Sequence, residues 1–191
     1  MHHKTHQTAV VIIPPTEIWA SIQPIRQQYD TNYRRWMPHI TLIYPFRPRS
    51  EFSLVADQLT QACQAQSPFW ICLEVFRFFS HHRARYTVWL DPQPPIIASE
   101  KSSRRQNPIT NLQKDLWKTI PDCDDTRRFK NGFTPHLSVG QITNKQNLDH
   151  LLCQFQQEWQ PLTFYVSEVH IIWRNDPPDD VFQVDRTITF S

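Results

Sequence analysis

A five-residue pattern occurs twice in this chain of 191 residues, and it limits the possible folds more than any other feature of the sequence. Residues 38–42 read Pro-His-Ile-Thr-Leu, and residues 135–139 read Pro-His-Leu-Ser-Val. The two histidines, His39 and His136, are therefore 97 positions apart. Each pattern begins a run of alternating apolar side chains, which is typical of a strand with one buried face. We expect two equivalent strands, each with a histidine at its start.

The elements predicted around the two motifs repeat in the same order. Alternation of apolar residues predicts strands at residues 8–13, 39–46, 69–79, 84–90, 136–142, 164–173 and 181–190. Helical spacing predicts helices at 51–65, with Ser50 as the N-cap, at 147–159, and after an N-cap at Asn107. A further helix should begin at Thr16, although Pro24 should shorten or kink it.

The repeat predicts the fold. Strand, helix, histidine-bearing strand, helix and strand follow one another over residues 8–79, and the same order returns over residues 84–173. A final strand at 181–190 should complete the second half. We therefore predict an α+β fold in which residues 1–191 form a single domain, with two pseudo-symmetric antiparallel-sheet lobes and outer helices around a central cleft. Equivalent strands of such halves would face each other, which would bring the two histidines together.

Each motif should place an imidazole and a hydroxyl on the same side of its strand. Side chains at i and i+2 share a face, so His39 lies beside Thr41, and His136 lies beside Ser138. Histidine exchanges a proton near neutral pH, and a hydroxyl can donate to a phosphate oxygen or a developing oxyanion. Two such pairs supply a base, an acid and two anion ligands, which suffice to cleave a phosphodiester without a metal. A lone histidine on a strand is more often structural, but a second one in register favours catalysis.

Composition excludes several classes of function. The chain has only two glycines, Gly132 and Gly140, so it lacks the Gly-rich loops of P-loop and Rossmann nucleotide sites. Its four cysteines show no C-x-x-C spacing, which disfavours zinc. No apolar run is long enough to span a membrane or to act as a secretory signal, so we expect a cytoplasmic protein that binds no membrane. No cofactor is expected, and the formal net charge of +2 identifies no partner.

The motifs resemble those of the 2H phosphoesterase superfamily, in the branch of 2′-5′ RNA ligases and cyclic phosphodiesterases. The resemblance covers nearly the whole chain, because the upstream strand AVVII, the second motif FTPHL and the strand VSEVHIIWR all lie where that family has them. It implies that His39 and His136 are the catalytic pair and that Thr41 and Ser138 bind phosphate. Gln141 departs from the family, since ligase-like members often have arginine at that position.

Basic and aromatic residues near the motifs are candidates for substrate binding. Arg34 and Arg35 precede the first motif and Arg128 precedes the second, and these cations could steer a nucleic-acid backbone toward the cleft. Solvated loop charge explains them equally well. The remaining predicted substrate-binding residues are Tyr44, Phe46, Phe133 and Gln141.

The sequence therefore predicts a monomeric, metal-independent phosphoesterase. Its substrate would be a 2′,3′-cyclic phosphate or an RNA or nucleotide phosphodiester, and its partner a nucleotide or RNA with a terminal cyclic phosphate. Two alternatives stay open: an RNA- or nucleotide-binding module without turnover, and an ATP-independent 2′-5′ RNA ligase that runs the cleavage in reverse.

Overall fold

The structure is a computed structural model. It describes residues 3–96, 107–125 and 132–191. In these ranges the elements, in chain order, are β1 (Thr8–Ile12), α1 (Trp19–Tyr29), β2 (Ile40–Ile43), α2 (Phe52–Gln64), β3 (Phe69–His81), β4 (Arg85–Gln93), α3 (Pro108–Thr119), β5 (Leu137–Thr143), α4 (Lys145–Glu158), β6 (Leu162–Val166), β7 (Glu168–Trp173) and β8 (Gln183–Thr189).

The strands form two four-stranded antiparallel sheets, which confirms the predicted α+β bilobal class. The first sheet has the order β2-β1-β7-β8 and the second has the order β5-β4-β3-β6. Each motif strand, β2 or β5, lies at the edge of its sheet and pairs with the strand that precedes it in the repeat, β1 or β4. The two sheets are therefore built on the same plan.

The prediction was wrong about which strands complete each sheet. The strand expected at 164–173 is two strands that meet at Ser167, because β6 pairs with β3 in the second sheet while β7 pairs with β1 in the first. The closing strand β8 pairs with β7 and so completes the first sheet, not the second. β3 likewise joins the second sheet. Each sheet thus takes strands from both halves of the repeat.

Two expected details of the helices also differ. Pro24 lies inside α1 without ending it, since the helix continues for five more residues to Tyr29. The carbonyl that loses its helical partner belongs to Ala20, which is exposed and can be hydrated. Ser50 does not cap α2, because it lies in a 3₁₀ turn that precedes the helix. Asn107 does cap α3, and its side chain accepts from the amide of Ile109.

One face of each sheet packs against the helices in a main core that contains residues from both sheets. On the opposite face of the first sheet, Ala9, Val11 and Ile172 form a second, smaller cluster with Phe182. The segment before β8 therefore covers part of that face. The alternating side chains that point away from the helices include the hydroxyl residues of both motifs, so this side of the molecule carries the candidate site.

Candidate active site

The two motifs lie together because their strands are adjoining edges of the two sheets. β2 and β5 contact each other, and His39 and His136 stand immediately before them. The histidines are within electrostatic reach, since the charge of His136 contributes to lowering the pKa of His39. The repeated pattern predicted that the two strands would face each other, and joint action of the histidines on one phosphate stays a prediction.

The two imidazoles make the same backbone hydrogen bond. Nδ1 of His39 donates to the carbonyl of Met37 at 2.7 Å, and Nδ1 of His136 donates to the carbonyl of Thr134 at 2.8 Å. A carbonyl can only accept, so Nδ1 carries the hydrogen in both neutral rings. Nε2 is then the atom of each histidine that can take or give a proton.

Aromatic rings fix the orientation of both histidines, but in different ways. The ring of His39 stacks on Trp36 with centroids 4.4 Å apart, and Trp36 stacks on Phe182 at 3.7 Å. His136 instead makes edge-to-face contacts with two rings, with centroid distances of 5.0 Å to Phe79 and 5.9 Å to Trp89. Each imidazole is thus held by two kinds of contact, one to the backbone and one to aromatic side chains.

Burial and a nearby cation keep His39 neutral. Burial lowers the pKa of His39 to about 4, with further lowering by the charges of Arg26 and His136, while the bond to Met37 and the charge of Asp30 oppose the shift. Burial also lowers the pKa of His136, although no arginine contributes there. The two imidazoles therefore share a geometry and differ in their electrostatic environment.

The cation behind His39 belongs to a buried ion pair at the end of α1. Arg26 is 1% exposed, and its Nε donates to Asp30 Oδ2 at 2.9 Å. Its guanidinium also donates to the carbonyl of Trp36 at 2.9 Å and to Gln23 Oε1 at 3.1 Å. Asp30 in turn accepts from the amide of Asn32 at 2.9 Å. This network holds the loop that carries Trp36, which stacks on His39.

The hydroxyl residues of the two motifs begin equivalent rows of side chains. Thr41 pairs with Val11, which pairs with His170 on β7. Ser138 pairs with Trp89, which pairs with Arg77 on β3. Thr41 and Ser138 are both partly exposed, as an anion ligand must be.

Arg34 and Arg35, the predicted backbone-steering residues, both pair with Asp180. Arg34 bonds Oδ1 of Asp180, and Nε of Arg35 donates to Oδ2 at 2.7 Å. The amide of Phe182 also donates to the carbonyl of Arg35 at 2.9 Å. The two arginines thus fix the segment that places Phe182 on Trp36, and phosphate binding by them stays a prediction.

The other predicted substrate-binding residues are dispersed. The structure contradicts the prediction that Phe46 binds substrate. Its side chain is fully buried and packs on Phe52, so no part of it is accessible to a substrate. Tyr44 lies beside Trp36 and its hydroxyl donates to the carbonyl of His6 at 3.2 Å. Phe133 packs partly buried against the main core. Arg128 lies outside the described residues.

Gln141 links β5 to the loop that follows α1. Its Oε1 accepts from both the amide and the hydroxyl of Thr31, each at 2.8 Å. Thr31 belongs to the loop held by Arg26 and Asp30, whereas Gln141 belongs to β5. The residue that departs from the family pattern is therefore bonded to protein in this structure.

Sequence reasoning missed the residues that surround the motifs. Arg26 and Asp30 are four residues apart in the chain, a spacing that on a predicted helix would have indicated an ion pair. His170 alternates with Ile172 on the face of the smaller cluster, where its Nδ1 lies 3.1 Å from Thr187 Oγ1. Nothing in the sequence pointed to Asp180, because its partners are about 145 residues away.

Across the parts of the chain that the structure describes, none of the helices is long and apolar enough to cross a membrane. The same parts contain no group of three or more His, Cys, Asp or Glu side chains placed to hold a metal ion.

Comparison with known proteins identifies the family. The family model of the 2′-5′ RNA ligase superfamily matches residues 14–178. The chain belongs to this superfamily. It is also 31% identical over 132 residues to "Putative phosphoesterase GK0864" of Geobacillus kaustophilus (strain HTA426), a match that covers 69% of this chain and 66% of the relative. The resemblance to the 2H phosphoesterases is thus confirmed, and the family indicates a phosphoesterase-type enzyme.

Solved structures share the fold at low sequence identity. TT0787 of Thermus thermophilus aligns with a TM-score of 0.60 at 14% identity, over 95% of this chain and 96% of that one. E. coli LigT in complex with 3′-AMP aligns with a TM-score of 0.54 at 13% identity, over 99% of both chains. LigT in complex with ATP gives a TM-score of 0.57 at 15% identity, again over 99% of both chains.

Proposed function

We propose that this superfamily member hydrolyses a 2′,3′-cyclic phosphate or an RNA or nucleotide phosphodiester, with His39 and His136 as the acid–base pair. The observation that carries the proposal is the matched pair of imidazoles on adjoining edge strands, each with Nδ1 on a backbone carbonyl and Nε2 left for proton transfer. Binding alone would not require two titratable groups in the same tautomer. Nucleotides bound to the LigT structures, 3′-AMP and ATP, are compatible with a nucleotide ligand here.

The electrostatic difference between the histidines supports a division of roles. His39, with a pKa of about 4 and the Arg26 cation behind it, is neutral at physiological pH, which suits a general base. His136 has no such cation, and a bound phosphate anion raises the pKa of a nearby imidazole. We therefore assign His39 as the base and His136 as the acid.

The reaction then balances without a further reactant. Nε2 of His39 takes a proton from water as the water oxygen bonds to phosphorus. The bond from phosphorus to one ribose oxygen breaks, and Nε2–H of His136 gives its proton to that oxygen. Thr41 and Ser138 donate hydrogen bonds to the non-bridging oxygens as negative charge develops there. The product is a ribose phosphomonoester with a free neighbouring hydroxyl.

The test is direct turnover. Purified protein is incubated with adenosine 2′,3′-cyclic phosphate and with a 2′-5′-linked dinucleotide, with and without EDTA, and products are identified by mass and by ³¹P NMR. We expect a monophosphate, unchanged by EDTA and lost in His39→Ala and His136→Ala. Binding without product would favour the binding module, joined oligonucleotides would favour the ligase, and loss of turnover in EDTA would contradict metal-independent acid–base chemistry.

A further inference from the structure

Pairs of side chains on one face of the second sheet lead away from His136. Neighbouring strands β3 and β4 place residues opposite each other in steps of two, so alternate pairs share a face. The pairs on the face of the candidate site are Arg77 with Trp89, Phe79 with Thr87, and His81 with Arg85. Two contacts confirm the shared face: Phe79 stacks on Trp89 at 4.9 Å, and His81 Nε2 lies 2.9 Å from Thr87 Oγ1.

This face ends in an exposed basic hairpin. The loop of residues 82–84 joins β3 to β4, and His81, His82, Arg83 and Arg85 are all exposed around it. Neither Arg83 nor Arg85 has an acidic partner within the described residues. Uncompensated cations gathered at one end of a cleft face provide a site for phosphate groups.

Two residues of the loop adopt backbone angles that their side chains disfavour. Arg83 has a φ of 61° and the next residue, Ala84, has a φ of 50°. Residues other than glycine, asparagine and aspartate rarely adopt this region, and strained backbone of this kind clusters at functional sites. Glycine or asparagine would adopt these angles at a lower cost than arginine and alanine.

The equivalent face of the first sheet is closed. His81 corresponds to Arg174 on the first sheet, because both lie four residues beyond the row that contains the motif hydroxyl. Arg174 bonds the carbonyl of Asn175 and lies 5.6 Å from the ring of Phe182. A chain that leaves the histidine pair therefore has an open route over the second sheet and a covered one over the first.

We propose that the surface from Phe79 to the 82–84 loop, here called the hairpin surface, binds the single-stranded RNA that precedes the reacting phosphate. Arg83 and Arg85 bind backbone phosphates, and the partly exposed ring of Phe79 offers a stacking contact to a base. The row of His81 lies four residues, or about 14 Å, beyond the row of Ser138, so an oligonucleotide reaches it and a mononucleotide does not. The inference rests on the proposed function and specifies an oligonucleotide substrate for the same site.

The kinetic test compares two substrates with the same reacting group. A hexanucleotide ending in a 2′,3′-cyclic phosphate and the cyclic mononucleotide are assayed with the Arg83→Ser/Arg85→Ser variant. The matched control is Lys118→Ser/Arg186→Ser, which removes two exposed cations outside the cleft. We expect kcat/KM for the hexanucleotide to fall roughly tenfold as two charge-assisted contacts are lost, with the mononucleotide unchanged. Equal losses on both substrates, or no loss on either, would overturn the hairpin surface.

A second variant separates binding from stability. Arg83→Asn/Ala84→Gly should relieve the positive-φ strain and raise the melting temperature, while it lowers affinity for the hexanucleotide. A more stable protein with undiminished affinity would assign the loop to connection alone.

A binding measurement tests the hairpin surface independently of turnover. Fluorescence anisotropy with a hexanucleotide 3′-phosphate requires no turnover, and the slope of log K against log salt should be less steep by about 1.4 in Arg83→Ser/Arg85→Ser, about 0.7 for each phosphate contact. If the wild type turns over neither substrate but Arg83→Ser/Arg85→Ser still reduces the salt slope, the proposed hydrolase activity is contradicted and RNA binding by the hairpin surface is supported. If wild type and variant bind with the same affinity and slope, the hairpin surface fails whatever the turnover.

Discussion

The two lobes carry the same motif on the same strand plan, but one is closed around its histidine and the other is open. In the first lobe, Trp36 and Phe182 cover the sheet beside His39. The buried Arg26–Asp30 pair at the end of α1 lies behind the same histidine. In the second lobe, His136 packs on rings of its own sheet, and the face beyond it is exposed.

This difference shows how one motif can serve two roles. The chain fixes both imidazoles by the same bond to a backbone carbonyl, and it then varies only what surrounds them. Burial lowers the pKa of both imidazoles, and the charge of Arg26 adds to this lowering only at His39. The open face of the second sheet leaves room for substrate beside His136. A symmetric repeat thereby gives an asymmetric acid–base site.

The largest effects should come from the two imidazoles. His39→Ala and His136→Ala should each lower kcat by about 10²–10⁴-fold, because a positioned acid or base contributes that much. The double variant should lose less than the product, since the two groups act together. Turnover of the cyclic nucleotide measures all three, with His150→Ala on α4 as the control for an exposed histidine. A fully active single variant would remove that lobe from the mechanism.

Breaking the buried pair behind His39 should cost stability. Arg26→Met leaves the carboxylate of Asp30 buried without its partner, which costs roughly 3–5 kcal/mol of unfolding free energy. Lys118→Met is the control, because Lys118 pairs with Asp115 at an exposed site where such pairs contribute about 0–1 kcal/mol. Urea unfolding compares the two, and equal losses would contradict a special role for the buried pair.

The same pair should set the acid limb of the pH profile. His39 must be neutral to act as base, so kcat/KM should fall only as pH approaches about 4. Arg26→Met should move this limb to higher pH, because the cation that lowers the pKa of His39 is gone, and Asp30→Asn should move it to lower pH. Stability should also fall between pH 6.5 and about 4, where the unfolded chain binds a proton that folded His39 does not. An acid limb above pH 6.5 in the wild type would contradict the assignment of His39 as the base.

The hydroxyl residues test whether the lobes contribute equally to anion binding. Thr41→Val and Ser138→Ala each remove one donor to the phosphate, an effect of about 1.5–3 kcal/mol for a bond to a charged group. We expect similar losses of kcat/KM from the two sides. A loss confined to one variant would show that only that lobe contacts the phosphate.

The smallest effect should come from the bonds between Gln141 and Thr31. Gln141→Ala removes the acceptor of two exposed hydrogen bonds from Thr31, which should lower the unfolding free energy by about 1 kcal/mol. Thr31→Val removes one of the two and should have a smaller effect. If Gln141→Ala instead raises KM strongly with stability unchanged, Gln141 binds substrate as the sequence suggested.

The sequence was sufficient for the features that depend on local periodicity. Alternation in the two motifs identified β2 and β5, and the side of each strand that carries Thr41 or Ser138 followed from a period of two. The same reasoning could not assign β3, β6 and β7 to their sheets, because an apolar run shows that a strand is buried but not which strand it pairs with. Ser167, where β6 and β7 part, interrupts the run by a single residue.

Side chains beyond the ends of regular strands were harder to place. Phe46 follows the motif strand in the sequence, yet the register of β2 against β1 shifts between Val10 and Val11, and Phe46 lies past the end of the strand in the main core. Asp180 was out of reach because its partners come from a distant loop. The packing of Phe182 on Trp36, which distinguishes the surroundings of His39 from those of His136, therefore could not be predicted from the sequence.

Because β6 and β7 pass from one sheet to the other across Ser167, neither lobe is a separable unit. A fragment that ends after β3 would contain β1 and β2 without β7, and β3 without β4, so each of its sheets would lack a central strand. Both sheets also contribute to one main core, so rotating one against the other would open that core to water. The spacing between the two imidazoles is thus determined when the chain folds, and the cleft does not need to assemble itself at each turnover.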